Sequence, residues 1–390
     1  MQPTGVLESA KTTNPLKALL GYGQSMWLDY IRRDLFTSGK LKKMIEEDGL
    51  RGMTSNPSIF EKAVGESSLY DNMLAELASR NDLDTTARYE QIAIRDIQDA
   101  ADVLRPVYDS SKFRDGYVSL EVSPLLALDT QKTIDEARRL WKAVKRENVM
   151  IKIPGTVEGL PAIRQAIGEG ININVTLLFA QEVYEKVAEA YIAGVEDLSK
   201  RGGDLRKMAS VASFFISRID SMVDSMINEK LKANADAKQQ ELLKSLLGKV
   251  AIANGKLTYL RYQRLFSGPR WQALAGQGAQ TQRVLWASTS TKNPAYRDVM
   301  YVEELIGLDT VNTMPPATID AFRDHGKLRN SLTEDVSGAQ NVMDNLARAG
   351  ISIKEVTTKL TEDGVKLFAD AFHKLLAAVE KNTQPKGKTA

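Results

Sequence analysis

The sequence predicts an α/β protein built as a closed, eight-stranded parallel barrel wrapped by helices, a (β/α)₈ arrangement. Three observations carry that expectation. Eight short β-like runs alternate with long amphipathic helical stretches from Gly23 to about Thr313, the pattern of a parallel sheet with crossover helices. Several runs place polar side chains on one alternating face and aliphatic ones on the other, as strands do when one face meets helices and the other a polar interior. A length of 390 residues suits one barrel carrying insertions. An open doubly wound sheet is the alternative architecture for the same alternation.

In chain order the runs fall at 25–30, 49–55, 116–122, 149–154, 171–179, 208–215, 283–288 and 309–313. The fourth, Val149-Met150-Ile151-Lys152-Ile153-Pro154, is apolar on both sides and ends in a Pro-Gly turn signal, which suits an interior strand. Helices lie between the runs, for example over 85–107, with Ile92, Ile94, Ile97, Ala100 and Val103 on helical spacing, and over 181–198. The stretch 217–282 is too long for one crossover helix. It reads as helical through Met222, Met226, Leu231, Leu242, Leu246 and Leu247, then as loop around Ser267-Gly268-Pro269 and Ala275-Gly276-Gln277-Gly278. It predicts a helical hairpin inserted before the seventh strand, on the barrel's outside. Beyond the eighth run the chain reads as extra C-terminal helices, ending in one over 361–381 that packs over the barrel or its mouth, and 382–390 reads as a polar tail. No internal repeat divides the chain, so 1–390 is taken as one barrel domain.

Composition narrows the chemistry. There are 52 basic and 50 acidic residues, a net charge of +2, which gives no electrostatic footprint for nucleic acid or an anionic membrane. Cysteine is absent, removing disulfides and thiolate chemistry and fitting a reducing compartment. His325 and His373 are the only histidines, which argues against a Ser-His-Asp triad or a multi-histidine metal centre and leaves proton transfer to carboxylates, lysine or water. Met1 to Pro15 lacks a signal-peptide pattern, and no apolar run of roughly 18 residues or more occurs. A soluble cytoplasmic protein acting on small molecules is expected. A homodimer, with a subunit contact through the insertion, is entertained as its assembly.

Lys152 stands out because an ammonium is unfavourable inside such a strand. Desolvation disfavours the charged form, and a neutral amine is the nucleophile that makes a Schiff base with a carbonyl substrate. A strand-end lysine that snorkels to water or pairs with a carboxylate is the competing reading. Its company matters. In the fifth run Asn172, Asn174 and Thr176 share one face; in the third, Ser119 and Glu121 oppose three aliphatics; Gly52, Thr54 and Asn56 line up in the second. If the apolar faces meet the helices, these polar sets converge at the carboxyl ends of the strands. Each member has a second reading. Asp29 could cap the following turn. Thr54, Ser55 and Asn56 before Pro57 could form an Asx turn and helix start. Arg218 could open a surface helix, and Lys292 could be a solvated loop charge. Glu121, at the end of an apolar strand, reads as functional or ion-paired against a solvent-facing alternative. Gly21-Tyr22-Gly23 precedes a strand and lacks a third glycine, so it is no dinucleotide fingerprint; Gly276-Gln277-Gly278 reads as linker.

Thr54-Ser55-Asn56-Pro57-Ser58, Ile151-Lys152-Ile153-Pro154, Gly170-Ile171-Asn172-Ile173-Asn174-Val175-Thr176-Leu177-Leu178-Phe179 and Ala212-Ser213-Phe214-Phe215-Ile216-Ser217-Arg218-Ile219-Asp220 occur in this order. Together they resemble the transaldolase family. The run Trp286 to Pro294, with the chain's length, is similar to the longer bacterial and plant-type branch. The resemblance implies a TIM barrel of the class I aldolase type, with Lys152 as the imine-forming residue on the fourth strand and Asp29 moving the proton of the sugar hydroxyl. It implies that Glu121 and Thr176 hold a catalytic water. It further implies that Thr54, Asn56, Asn174 and Ser213 bind the dihydroxyacetone hydroxyls, that Phe215 walls the pocket, and that Arg218, helped by Lys292, takes the phosphate. Short-branch members carry arginine near the Lys292 position, so a point charge here replaces a fork.

The implied reaction moves a three-carbon unit between sedoheptulose 7-phosphate and glyceraldehyde 3-phosphate, giving erythrose 4-phosphate and fructose 6-phosphate, within the non-oxidative pentose phosphate pathway. No metal or organic cofactor is implied. A fructose-6-phosphate aldolase of the same family is the nearest alternative, although its members carry a neutral partner where Glu121 stands. A non-catalytic sugar-phosphate-binding barrel is the alternative from another class.

Overall fold

The barrel closes. A computed structural model describes residues 14–233 and 236–383 and contains eight parallel strands paired around a ring in chain order. They are β1 (Gln24–Asp29), β2 (Gly52–Thr54), β3 (Tyr117–Glu121), β4 (Val149–Pro154), β5 (Ile173–Leu178), β6 (Ser210–Phe215), β7 (Arg283–Ala287) and β8 (Thr310–Met314). β8 pairs with β1, which excludes the open sheet. Each predicted run overlaps one strand, although β1 starts one residue before its run and β8 ends one residue after its own.

Helices α1 (Pro57–Gly65), α2 (Thr85–Ser110), α3 (Thr130–Val144), α4 (Gly159–Gly168) and α5 (Gln181–Lys200) shield the strands from β2 to β6. Every residue of β4, β5 and β6 is buried, as expected where helices cover one face and a packed interior the other. That interior is filled tightly. Trp27 is wholly buried and sits opposite Gly52 in the β1–β2 register. A Cβ at Gly52 would lie 2.5 Å from the indole, so only glycine admits the ring.

The amino-terminal end of the barrel is plugged by a buried ion pair. Arg283 Nη2 lies 2.8 Å from Asp115 Oδ1, each side chain 5% exposed, and Ser25 Oγ accepts from Arg283 at 2.7 Å while donating to Asp115 at 2.8 Å. Both charges are therefore paired and hydrogen-bonded, the condition under which burial is tolerated. This end is closed, and the opening lies at the carboxyl ends of the strands.

The insertion holds more helices than the predicted hairpin. α6 (Ser217–Ala233), α7 (Ala237–Leu246), α8 (Val250–Leu265) and α9 (Pro269–Ala275) occupy it. The Ser267-Gly268 signal separates α8 from α9 and does not begin a long loop, because Pro269 starts a new helix at its first turn. A short helix, α10 (Met300–Glu303), lies between β7 and β8, and α11 (Pro316–His325), α12 (Val336–Arg348) and α13 (Ile353–Thr383) follow. The terminal helix begins earlier than the predicted 361, at Ile353, and takes in residues 382 and 383 of the expected tail, with Thr383 buried. The rest of the tail, and residues 1–13, lie outside the described residues.

Strand β5 departs from strict alternation. Leu177 has a φ of +61°, and the β5–β6 register shifts between Val175 and Leu178. The bulge aims Leu177 at α13, where a Cβ on Gly364 would come within 2.8 Å of its side chain. α13 thus docks at the mouth through a helix-interior glycine, against its low helix propensity.

Candidate active site

A cleft of about 460 Å³ opens at the carboxyl ends of the strands. Asp29, Thr54, Asn56, Lys152, Thr176, Ser213, Phe215, Arg218 and Lys292 border it; Glu121 and Asn174 are buried behind the wall, and Gly52, Ser119 and Asn172 do not line it. Strand register explains the grouping: Glu121 pairs with Lys152 and Lys152 with Asn174 across β3, β4 and β5, while Asp29 pairs with Thr54 across β1 and β2.

Lys152 is 4% exposed. Its Nζ donates to the Ser55 carbonyl at 3.0 Å and stands 3.5 Å from Glu121 Oε2. It does not snorkel to water. Burial pushes the Glu121 carboxyl up to about 6, against the opposing pull of Lys152 and with a smaller push from Asp29. Both Glu121 oxygens and Thr176 Oγ1 are buried without a hydrogen-bond partner among the described residues. Unpartnered buried oxygens are unfavourable, and each of these has spare capacity to bond a water.

Asp29 faces the same cleft. Its Oδ1 accepts from Thr54 Oγ1 at 2.7 Å, and Thr54 Oγ1 is itself 2.7 Å from Thr313 Oγ1. Burial raises the Asp29 carboxyl, while Lys152, the Thr54 hydrogen bond, Lys292 and Arg218 pull it down. A carboxyl so placed is within reach of a ligand in the cleft and can exchange a proton with it.

The amides play mixed parts. Asn174 donates to Ser119 Oγ at 3.0 Å and accepts from Ser213 Oγ at 2.7 Å, so one network fixes both side chains. Asn56 caps α1, its Oδ1 accepting from the Ile59 amide at 3.0 Å, and it also borders the cleft; the capping reading and the pocket reading hold together. Asn172, grouped with Asn174 by alternation, belongs elsewhere. It bonds the backbone of Glu147, Val149 and Ala209 below the cleft, because β5 starts one residue later, at Ile173.

Two cations mark the outer end. The Arg218 guanidinium lies 5.4 Å from the Phe215 ring centroid and forms no ion pair among the described residues; burial lowers its pKa, and Asp29 opposes that. Lys292, at the exposed rim, donates to Ser290 Oγ at 2.5 Å. Partial desolvation, then the Arg218 charge, pulls its ammonium below the usual lysine range. Phe215 is buried against Phe179 with centroids 5.2 Å apart. Two unpaired cations beside a polar cleft suit an anionic group on the ligand.

Sequence reasoning missed two neighbours. Thr313 completes the Asp29–Thr54 chain; polar residues in the eighth run were its only signal. Phe368 of α13 borders the cleft, its ring centroid 5.8 Å from Lys152 Nζ. It lies far along the chain in a helix whose amphipathic period says only that Phe368 is covered. Among the described residues no group of three or more His, Asp or Glu side chains is placed to hold a metal ion, and no helix is long and apolar enough to cross a membrane.

The family described as transaldolase/fructose-6-phosphate aldolase matches residues 26–379. A transaldolase of Trichodesmium erythraeum is 48% identical over 374 residues, covering 95% of this chain and 98% of that protein. A transaldolase 2 of Nostoc punctiforme is 49% identical over 372 residues, covering 95% and 97%. A transaldolase 1 of Streptomyces coelicolor is 46% identical over 384 residues, covering 98% of each. A closed (β/α)₈ barrel of this length, matched along nearly its whole extent, belongs to the transaldolase family.

Proposed function

We infer that Lys152 is the amine through which this chain carries out its transaldolase-type reaction, moving a dihydroxyacetone unit from a ketose phosphate to an aldose phosphate. The observation that carries this reading is the buried Lys152–Glu121 pair at the wall of a cleft whose far end holds Arg218 and Lys292.

In this reading the neutral amine attacks the ketose carbonyl. The carbinolamine loses water, with Glu121 and Thr176 handling the proton through a shared water, and a protonated imine remains. Asp29 then takes the proton of the hydroxyl on the carbon at the far end of the bond that breaks, the carbon that becomes the aldehyde of the leaving aldose. The bonding electrons flow into the imine, the aldose leaves, and a three-carbon enamine stays on Lys152. An acceptor aldehyde reverses the steps, and Asp29 returns its proton to the new hydroxyl. Asn174 and Ser213, fixed by their mutual hydrogen bond, with Thr54 and Asn56, orient the hydroxyls of the three-carbon unit. Phe215 walls the pocket, and Arg218 and Lys292 take the phosphate.

The substrates proposed are sedoheptulose 7-phosphate or fructose 6-phosphate as donor and glyceraldehyde 3-phosphate or erythrose 4-phosphate as acceptor. A cytoplasmic setting and a homodimer go with this reading. Borohydride reduction in the presence of fructose 6-phosphate, followed by peptide mass mapping, tests it. The expected result is a reduced three-carbon adduct on the peptide containing Lys152; ligand protection without an adduct, or an adduct elsewhere, would sink it.

A further inference from the structure

We propose that Asp220, Asp224, Tyr296 and Tyr301 form a two-point clamp that fixes the spacing of Arg218 and Lys292 and so sets the cleft's grip on a phosphate group. The inference rests on the phosphate role given to those two cations above. It assigns a task to the insertion, which supplies one side of the clamp.

Arg218 and Lys292 come from different elements. Arg218 is on the first turn of α6, and Lys292 is in the connection between β7 and α10. Among the described residues neither is held by a carboxylate, and Lys292 has one side-chain hydrogen bond, to Ser290 in its own loop. Their separation must be set by whatever ties α6 to that connection. Asp220 and Asp224 lie one helical turn apart on α6 and are 1% and 7% exposed.

Each bridges the same two segments of the chain. Asp220 Oδ1 accepts from the Ala251 amide at 2.7 Å and Oδ2 from Tyr301 Oη at 2.9 Å. Asp224 Oδ1 accepts from the Gly248 amide at 3.1 Å and Oδ2 from Tyr296 Oη at 2.6 Å. One oxygen of each carboxyl thus binds the start of α8 or the turn before it, and the other binds a tyrosine of the β7–β8 connection.

Of the two tyrosines, Tyr296 is the one closer to Lys292 along the chain. It follows Lys292 by four residues, and the intervening turn is stiffened by the Tyr296 amide donating to the Asn293 carbonyl at 3.1 Å and the Ala295 amide to Asn293 Oδ1 at 3.0 Å. Its ring lies close against Gly248, where φ is +68° and a Cβ would sit 2.7 Å from Tyr296 Cζ. The glycine therefore serves two demands, a left-handed backbone and a close phenol. A hydrogen bond that served only to staple the insertion would have no reason to end on the loop that carries the second cation.

The test is Tyr296→Phe, which removes one oxygen and keeps the ring against Gly248, with Asp224→Asn, which keeps an acceptor for the tyrosine, as the conservative partner. The readouts are KM and kcat for fructose 6-phosphate, turnover of unphosphorylated fructose, and competitive inhibition by inorganic phosphate. The expected result for Tyr296→Phe is a rise of about tenfold in both the KM for fructose 6-phosphate and the phosphate inhibition constant. Its kcat and its turnover of fructose should stay near the parent values, and Asp224→Asn should give a smaller rise. Equal loss on fructose and fructose 6-phosphate, or a lowered melting temperature with an unchanged inhibition constant, overturns the clamp. Arg218→Gln and Lys292→Met separate the two ideas. If they leave phosphate inhibition unchanged, the phosphate reading fails. If they weaken it while Tyr296→Phe does not, only the clamp fails.

Discussion

Lys152 Nζ and Glu121 Oε2 lie 3.5 Å apart on paired strands, with side chains 6% and 4% exposed. Two ionisable groups so dry and so close each depend on the other, and four predictions follow from that pair and its surroundings.

Lys152→Met should abolish transfer and change how stability depends on pH. Burial already raises the Glu121 carboxyl, and Lys152 is the main influence holding it down. Without the lysine its folded-state pKa rises further above the unfolded value. The folded state then binds the extra proton, so stability is retained at low pH and lost as pH climbs. Relative to the parent, the variant should lose about 1–2 kcal/mol more at pH 8 than at pH 5, as expected for a further rise of about one unit in the folded-state pKa, measured by urea unfolding at the two values. An equal difference at both would contradict the pairing.

Glu121 should control the acid side of the rate profile. With a pKa pushed up to about 6, its carboxylate form disappears below that value, and kcat should fall about tenfold per pH unit. Glu121→Gln should flatten this limb, since an amide does not titrate. The same variant should be assayed for free dihydroxyacetone, because a neutral group there is the pattern of the family's aldolases. A limb that persists unchanged in the variant assigns the titration to another group.

Asp29→Asn should separate imine formation from carbon-carbon cleavage. The amide can still accept from Thr54, so the cleft keeps its shape, but it cannot take up a proton. Borohydride should still trap an adduct at Lys152, while the transfer rate drops about a thousandfold. Loss of the adduct together with transfer would place Asp29 earlier in the sequence of steps.

Gly52→Ala should destabilise the barrel without touching the substrate groups. The added methyl carbon meets Trp27 at 2.5 Å, and overpacking of this kind costs about 1–3 kcal/mol. Thermal melting should show the loss; an unchanged transition would mean the indole has somewhere to move.

The strands were legible because their residues obey simple rules: short apolar or alternating runs bounded by turn signals, with Lys152 and Glu121 standing out as anomalies among the apolar residues around them. Alternation correctly put Thr54 and Thr176 at the cleft. It failed at Asn172, because the strand's start is set by backbone hydrogen bonds whose partners lie far along the chain, and it gave no hint of the left-handed Leu177. Helix patterns in the insertion were readable as helices but not as a count, since the composition of a short break between two helices resembles that of a loop. Thr313 and Phe368 show the same limit from the other side. Each earns its place by contacts made across the fold, and nothing local distinguishes it from an ordinary buried residue.

The position of Phe368 late in the sequence has a consequence for biosynthesis. The eighth strand, and with it the closed ring, is made well before α13 leaves the ribosome, and the cleft's last wall arrives only with that helix. A nascent chain with its barrel complete would therefore lack the Phe368 wall beside Lys152 until that helix has been made and packs onto the mouth.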